Sequence, residues 1–252
     1  MKVEYHEFYS QSLNRMMPFK SYGHAGKPIV IFPTSEGRFN EYEDSKMIDA
    51  CKTLIEEGII RFYALDSIDS ESWLNKGKQP NEMARIHNLF DSYVVNEVVP
   101  YMREHSGWKG SFMASGCSMG GFHSVNFYFR HPYVFDQVIA LSGVYDARLF
   151  VGNDISDPDV YMNSPVDYIA DQSDPDTLEA WMSGDLLLCT GQGAWEENSI
   201  RDLRRLKEVL YLRRIPARIE FWGNEVNHDW PWWRIQMQYF LESLHSQNKL
   251  KG

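Results

Sequence analysis

An α/β fold is what this sequence of 252 residues predicts, with a mostly parallel central sheet, helices on both faces and an N-terminal antiparallel hairpin. Three observations lead there. Short apolar runs alternate with helical stretches from about residue 29 to the C-terminus, the first 22 residues read instead as two extended pieces, and no repeat, low-complexity tract or Pro/Gly/Ser-rich linker divides the chain. Residues 1–252 therefore read as one domain.

The extended pieces, Val3 to Tyr9 and Leu13 to Tyr22, join near Gln11 and end at a turn over Gly23 to Lys27, the pattern of a hairpin at a sheet edge. A strand at Ile29 to Phe32, a helix near Glu41 to Glu57, a strand at Ile59 to Leu65 and a long helix near Asn81 to His105 follow. Next come a strand at Ser111 to Ser115, a helix at Met119 to Arg130 and a strand at Gln137 to Ser142. The last elements are a strand at Asp185 to Thr190, a helix at Ile200 to Arg213, a strand at Ala217 to Trp222 and a helix at Pro231 to His245. Residues 144–184 interrupt this rhythm with mixed polar and aromatic sequence and a short helix near Thr177 to Met182. They read either as a lid or substrate wall or as an irregular surface excursion.

Composition removes several function classes. Thirty-five acidic against 25 basic residues give a formal charge of −10, which repels polyphosphate and anionic lipid, so nucleic acid and membrane are not expected partners. No apolar run approaches a membrane span, and Met1 to Ser10 carries Glu4, His6 and Glu7 where a secretory signal would be apolar, so a cytoplasmic protein is expected. Cys51, Cys117 and Cys189 are odd in number and lack a CxxC pair, which signals buried free thiols and neither a disulfide framework nor a zinc cluster. A homo-oligomer stays open.

The chemistry concentrates at Gly116, Cys117, Ser118, Met119, Gly120 and Gly121, a G-x-S-x-G followed by a further glycine. Such a pentapeptide arises by chance in about one chain in ten of this composition, so context decides. Here an apolar run leads into it and the aromatic-rich helix of Phe122, Val125, Phe127 and Phe129 leads out, giving strand, sharp turn, helix. That turn presents Ser118 as a nucleophile; the bland alternative is a glycine-lined turn before an ordinary helix.

A serine hydroxyl is a poor nucleophile at neutral pH, so a histidine must take its proton and an acid must orient the histidine. His228 follows the strand Ala217 to Trp222 through Gly223, Asn224 and Asn227 and precedes Pro231, which places it on a loop at the sheet's carboxyl edge. His245 lies deep in the last helix. The acid belongs on the loop Gly191 to Glu197, where Glu196 is favoured over Glu197 because it is nearer the strand end and adjoins Trp195, whose bulk would shield an ion pair. Otherwise both glutamates are first-turn acids of the following helix, and Asp202, already inside that helix, is the weakest choice. The oxyanion formed on attack needs N–H donors, for which the backbone of Met119 and of Ser35, with Thr34 close behind, are the candidates.

With these residues in view, the chain resembles the esterase D-like branch of the α/β-hydrolases, the group that includes S-formylglutathione hydrolases, feruloyl esterases and mycolyltransferases. The resemblance runs along most of the chain. It rests on Gly116 to Gly121, on His131, Pro132 and Phe135 leading into Leu141, Ser142 and Gly143, and on Tyr145, Asp146 and the stretch Asn163, Ser164, Pro165. The tail His228, Asp229, Trp230, Pro231, Trp232, Trp233 is similar to a bacterial subgroup described only as esterases. The resemblance implies the α/β-hydrolase fold, Ser118 as nucleophile, His228 as base and an acid on the Gly191 to Glu197 loop. The family acid is commonly an aspartate close to the glycine after the strand, whereas the nearest acids here are glutamates several residues later.

The expected activity is that of a serine carboxylesterase acting on a small-molecule ester without metal or organic cofactor. Two alternatives stand beside it: acyl transfer to an alcohol on the same residues, or a catalytically inactive protein binding sugar or aromatic ligands through Trp73, Trp181, Trp195, Trp230, Trp232 and Trp233.

Overall fold

In the computed structural model, which describes residues 1–251, the hairpin consists of β1 (Val3–Ser10) and β2 (Arg15–Tyr22). The chain reverses between them with Asn14 in the left-handed region at φ 53°, a conformation its short polar side chain tolerates. Beyond it run β3 (Lys27–Phe32), β4 (Ile60–Leu65), β5 (Phe112–Cys117), β6 (Phe135–Leu141), β7 (Asp185–Thr190) and β8 (Arg218–Phe221). They form one sheet in the order β1-β2-β4-β3-β5-β6-β7-β8, antiparallel from β1 to β4 across β2 and parallel from β4 to β8. After β3 the chain moves to β4 on one side and then crosses to β5 on the other. Loops leaving β3 and β5 therefore diverge at the carboxyl edge and open a crevice there, the usual place for a ligand in an open α/β sheet.

The apolar runs are near-continuous because the central strands are covered on both faces. Side chains two apart share a face. Val30, Phe32, Tyr63, Leu65, Ala114, Val138 and Ala140 enter one core, while Ile29, Ile31, Phe62, Ala64, Met113, Ile139 and Leu141 enter the other.

The helices agree with the expected positions at most places and depart at three. The helix anticipated near Glu41 to Glu57 is three short ones, α1 (Glu41–Asp44), α2 (Met47–Ala50) and α3 (Lys52–Glu56). Lys46 breaks the run by adopting φ 63°. The long helix near Asn81 to His105 is α4 (Pro80–Tyr93) and α5 (Val99–Ser106) joined by a π-helical turn over Val94–Val98. Pro100 just beyond that turn has no N–H to give to the preceding turn, and a local widening accommodates it. The expected helix from Met119 to Arg130 is α6 (Met119–Arg130).

The third departure lies in residues 144–184, which are mostly helical: α7 (Arg148–Val151), α8 (Pro158–Tyr161), α9 (Pro165–Asp171) and α10 (Pro175–Ser183). The last three open with proline in the first turn, and the Asp157 and Asp174 side chains accept backbone N–H groups of α8 and α10. Two Asp-Pro pairs and one Ser-Pro pair carry that signal in the sequence. The chain ends with α11 (Glu197–Leu212) and α12 (Trp230–Ser246).

Contact between β3 and the elbow, the sharp turn at Ser118 between β5 and α6, fixes the crevice's floor. A Cβ placed on Gly120 would lie 2.1 Å from the Phe32 carbonyl oxygen and 2.8 Å from that of Pro33. Backbone cannot yield there as a flexible side chain would. Gly120→Ala is expected to destabilise the protein by about 1–3 kcal/mol in urea denaturation, the cost typical of overpacking; an unchanged midpoint and slope would contradict this packing.

Candidate active site

Ser118 stands between β5 and α6 at φ 55°, ψ −117°, a backbone conformation that side-chain-bearing residues rarely adopt. Such a state costs on the order of 1–3 kcal/mol and persists because the surroundings over-determine it. The Ser118 N–H donates to the Leu141 carbonyl at 2.8 Å, while its own carbonyl accepts the N–H groups of Gly121 at 2.9 Å and Phe122 at 3.2 Å. The side chain is left half-buried at the crevice, on the carboxyl side of the sheet.

His228 reaches it from the loop between β8 and α12. Its Nε2 lies 2.9 Å from Ser118 Oγ, and its Nδ1 lies 3.2 Å from Glu196 Oε2. That loop is laced to the loop after β7: Gly193 N–H donates to the Val226 carbonyl at 2.8 Å, Ala194 N–H to Asn227 Oδ1 at 2.8 Å, and His228 N–H to the Ala194 carbonyl at 3.0 Å. The approach is close enough that a Cβ on Gly191 would sit 2.0 Å from the Val226 carbonyl oxygen. Trp233, one turn into α12, packs its ring edge-to-face against the His228 imidazole at 4.9 Å between centroids.

Of the three acids considered, Glu196 faces His228. It immediately precedes α11, is 0% exposed, and accepts hydrogen bonds from Thr190 Oγ1 at 2.8 Å, Ser142 Oγ at 2.5 Å and Gly191 N–H at 3.2 Å. Burial alone would push its pKa up. The hydrogen bonds from His228 and Ser142, the imidazole's charge and the Thr190 hydroxyl outweigh burial and hold the carboxyl below the usual glutamate range. Glu197 is exposed in the first turn of α11, and Asp202 turns away to accept the N–H groups of Tyr145 at 3.0 Å and Asp146 at 3.3 Å.

The expected reason for Glu196 is overturned: Trp195 is 81% exposed, at φ 69°, and shields nothing. Its backbone turns outward while the next side chain turns in, so the dry environment comes from Ser142, Thr190 and Ser199, all buried. Sequence reasoning missed Ser142 and Thr190 as partners of the acid. The signal was available only in part, since Ser142 follows β6 and Thr190 ends β7, which are neighbours in the sheet.

At the loop after β3, Thr34 is already engaged. Its N–H donates to Glu41 Oε2 at 2.8 Å and its hydroxyl donates to the same carboxylate. Neither the Ser35 N–H nor the Met119 N–H donates within the described residues, and Met119 opens α6, where N–H groups lack intrahelical partners. Beside this loop a cavity of about 490 Å³ is lined by Arg15, Glu36, Gly37, Arg38, Asp66 and Asp69, among others. Phe150 and Val160 from residues 144–184 join Trp73, Met119 and Phe122 in one buried apolar cluster.

The tryptophan set does not form a shared surface. Trp73, Trp181 and Trp233 are buried, Trp230 and Trp232 are half-buried, and Trp195 alone is fully open. Cys51, Cys117 and Cys189 are free and buried. Among the described residues, Glu4, His6 and His105 converge with ligand atoms within 4.8 Å of one another. Arg61 Nη2 donates to Glu4 at 3.0 Å and lies 3.1 Å from His105 Nε2, so a guanidinium already occupies the position a cation would need. No helix among the described residues is long and apolar enough to cross a membrane.

Comparison with known proteins bears on this geometry. The family model described as "Putative esterase" matches residues 66–248. A solved ferulic acid esterase superposes with a TM-score of 0.75 at 15% identity, over 96% of this chain and 97% of that one. An S-formylglutathione hydrolase from Agrobacterium tumefaciens gives 0.71 at 14% identity, over 99% and 95%. A fluorophosphonate-binding serine hydrolase of Staphylococcus aureus, FphF, gives 0.65 at 12% identity, over 96% and 98%. A search of curated proteins finds no match to the sequence. The sheet order, the hairpin and the matched span agree: the chain has the α/β-hydrolase fold and belongs to the family described as "Putative esterase", a family of carboxylic ester hydrolases.

Proposed function

We propose that Ser118, His228 and Glu196 act as nucleophile, base and orienting acid in the hydrolysis of a small or medium carboxylic ester through an acyl-enzyme. The observation that carries this reading is the unbroken chain from Ser118 Oγ through both ring nitrogens of His228 to a fully buried carboxylate, at 2.9 and 3.2 Å. An ionised carboxylate only accepts, so Nδ1 carries the proton and Nε2 is left as the acceptor for the serine hydroxyl.

Ser118 Oγ attacks the ester carbonyl carbon while its proton passes to His228 Nε2. Negative charge gathers on the former carbonyl oxygen, where the free N–H groups of Met119 and Ser35 are the donors available. Collapse breaks the bond to the alcohol, which leaves with the proton from Nε2. A water then delivers its proton to Nε2 and attacks the acyl-serine; the acid departs, and the proton returns to Ser118. Glu196 stabilises the imidazolium in both halves without taking its proton.

The apolar cluster of Trp73, Phe122, Phe150 and Val160 beside Met119 supports the reading of residues 144–184 as a substrate wall. An intact hydrogen-bonded chain argues against the binding-only alternative, because a protein that only bound sugars would have no use for a dry glutamate aimed at an imidazole.

A fluorophosphonate probe is expected to label the wild-type protein and to leave Ser118→Ala unlabelled; equal labelling of well-folded Ser118→Ala would overturn the nucleophile assignment. Glu196→Gln is expected to lower kcat for p-nitrophenyl acetate by roughly 10²–10⁴-fold, the range for loss of an orienting carboxylate. Glu197→Gln is expected to stay within about twofold of wild type, as for an exposed residue outside the site. The reverse ranking in steady-state assays would transfer the role to Glu197.

A further inference from the structure

We infer that Ser142, seated by the indole N–H of Trp233, is a positioning residue that sets where the Glu196 carboxylate points and thereby which nitrogen of His228 bears the proton. The inference rests on Glu196 as the orienting acid and concerns what lies behind it. Trp233 Nε1 lies 2.9 Å from Ser142 Oγ, and Ser142 Oγ lies 2.5 Å from Glu196 Oε1, with all three residues buried. An indole nitrogen can only donate, so Ser142 Oγ accepts from it and its single hydrogen is left for the carboxylate. The carboxylate can only accept, so His228 Nδ1 must donate in turn. The indole, which can only donate, and the carboxylate, which can only accept, together fix the direction of every proton in the chain from Trp233 to Ser118.

The backbone holds Ser142 in this role at a cost. It adopts φ 51°, in the left-handed region that glycine or asparagine would occupy more readily. Its N–H donates to the Cys189 carbonyl at 2.7 Å, and its carbonyl accepts the Ser199 hydroxyl at 2.8 Å. A serine forced into that conformation, with both backbone groups tied down, presents its hydroxyl in a fixed direction. This matters because Glu196 stands just before α11, several residues past the end of β7 and farther along the chain than an acid next to Gly191 would be. The longer side chain must fold back under the loop, and one oxygen needs a restraint independent of β7. Thr190 and His228 meet Oε2, while Ser142, from beyond β6, joins the Gly191 N–H at Oε1.

Kinetics of Ser142→Ala, Trp233→Phe and their double mutant, each also in a Glu196→Gln background, test the inference. Ser142→Ala removes a hydrogen bond to a charged group and is expected to lower kcat for p-nitrophenyl acetate about 10-fold or more, with KM within about twofold. Trp233→Phe keeps the ring against His228 but frees the Ser142 hydroxyl, with an expected loss of about threefold or more. Acting through one chain, the pair is expected to be non-additive, and neither substitution should lower the residual rate of Glu196→Gln further. In the proton NMR spectrum the downfield resonance of the His228 Nδ1 proton is expected to move in Ser142→Ala and in Trp233→Phe. Additive losses, losses that persist in Glu196→Gln, or an unmoved resonance would overturn the inference. If Ser142→Ala fails to fold, Trp233→Phe decides by the same criteria. A Glu196→Gln variant with wild-type kcat would instead remove the orienting acid itself, a separate failure.

Discussion

A carboxylate with no exposed surface, placed against one nitrogen of an imidazole, is the constraint on which the rest of the proposed chemistry depends. Burying an unpaired carboxylate is prohibitive, so Glu196 must be surrounded by donors, and it is: two hydroxyls, one backbone N–H and one ring N–H converge on it. Because an ionised carboxylate accepts and never donates, those donors have fixed directions. In the proposed reaction this sends the lone pair of His228 Nε2 toward Ser118, with no rearrangement needed before a proton can move.

The fold supplies the three groups from parts of the chain more than thirty residues apart, Ser118 after β5, Glu196 after β7 and His228 after β8. Parallel strands place all three exits on one edge of the sheet. What the sheet does not supply is register among the loops, and that comes from close backbone contact. The His228 loop is hydrogen-bonded to the Glu196 loop through Gln192, Gly193, Ala194 and His228, and the elbow presses its first helical turn onto the Phe32 carbonyl. The strain at Ser118 and Ser142, both at positive φ without being glycine, is concentrated where those contacts hold the backbone most firmly.

Much of this was legible in the sequence because it follows from short-range pattern. Alternation of apolar runs with helical stretches announces a parallel sheet, and the strand, G-x-S-x-G, helix succession announces an elbow even though the motif itself is common. Breaks in helices were less legible. Lys46 carries no mark of a helix terminator, and its left-handed conformation follows from the packing of Tyr42 and Met47 into the core on either side. The surroundings of Glu196 were legible only in part, since Ser142 and Trp233 lie 54 and 37 residues from it along the chain; Ser142 reaches it through sheet order, and Trp233 reaches Ser142 through helix docking. Trp195, adjacent in sequence, faces solvent. Proximity along the chain was the wrong guide to what dries an ion pair, because the residue before a buried side chain in a turn commonly points outward.

The proposed chemistry makes Ser118 a covalent carrier, and rapid-quench peptide mapping after mixing with p-nitrophenyl acetate tests that most directly. The account predicts an acetyl group on the peptide containing Ser118 that forms with a burst of p-nitrophenol, decays as acetate is released, and is absent from Ser118→Ala. An acetyl group on a different residue, or turnover that continues at the wild-type rate in Ser118→Ala, would contradict it.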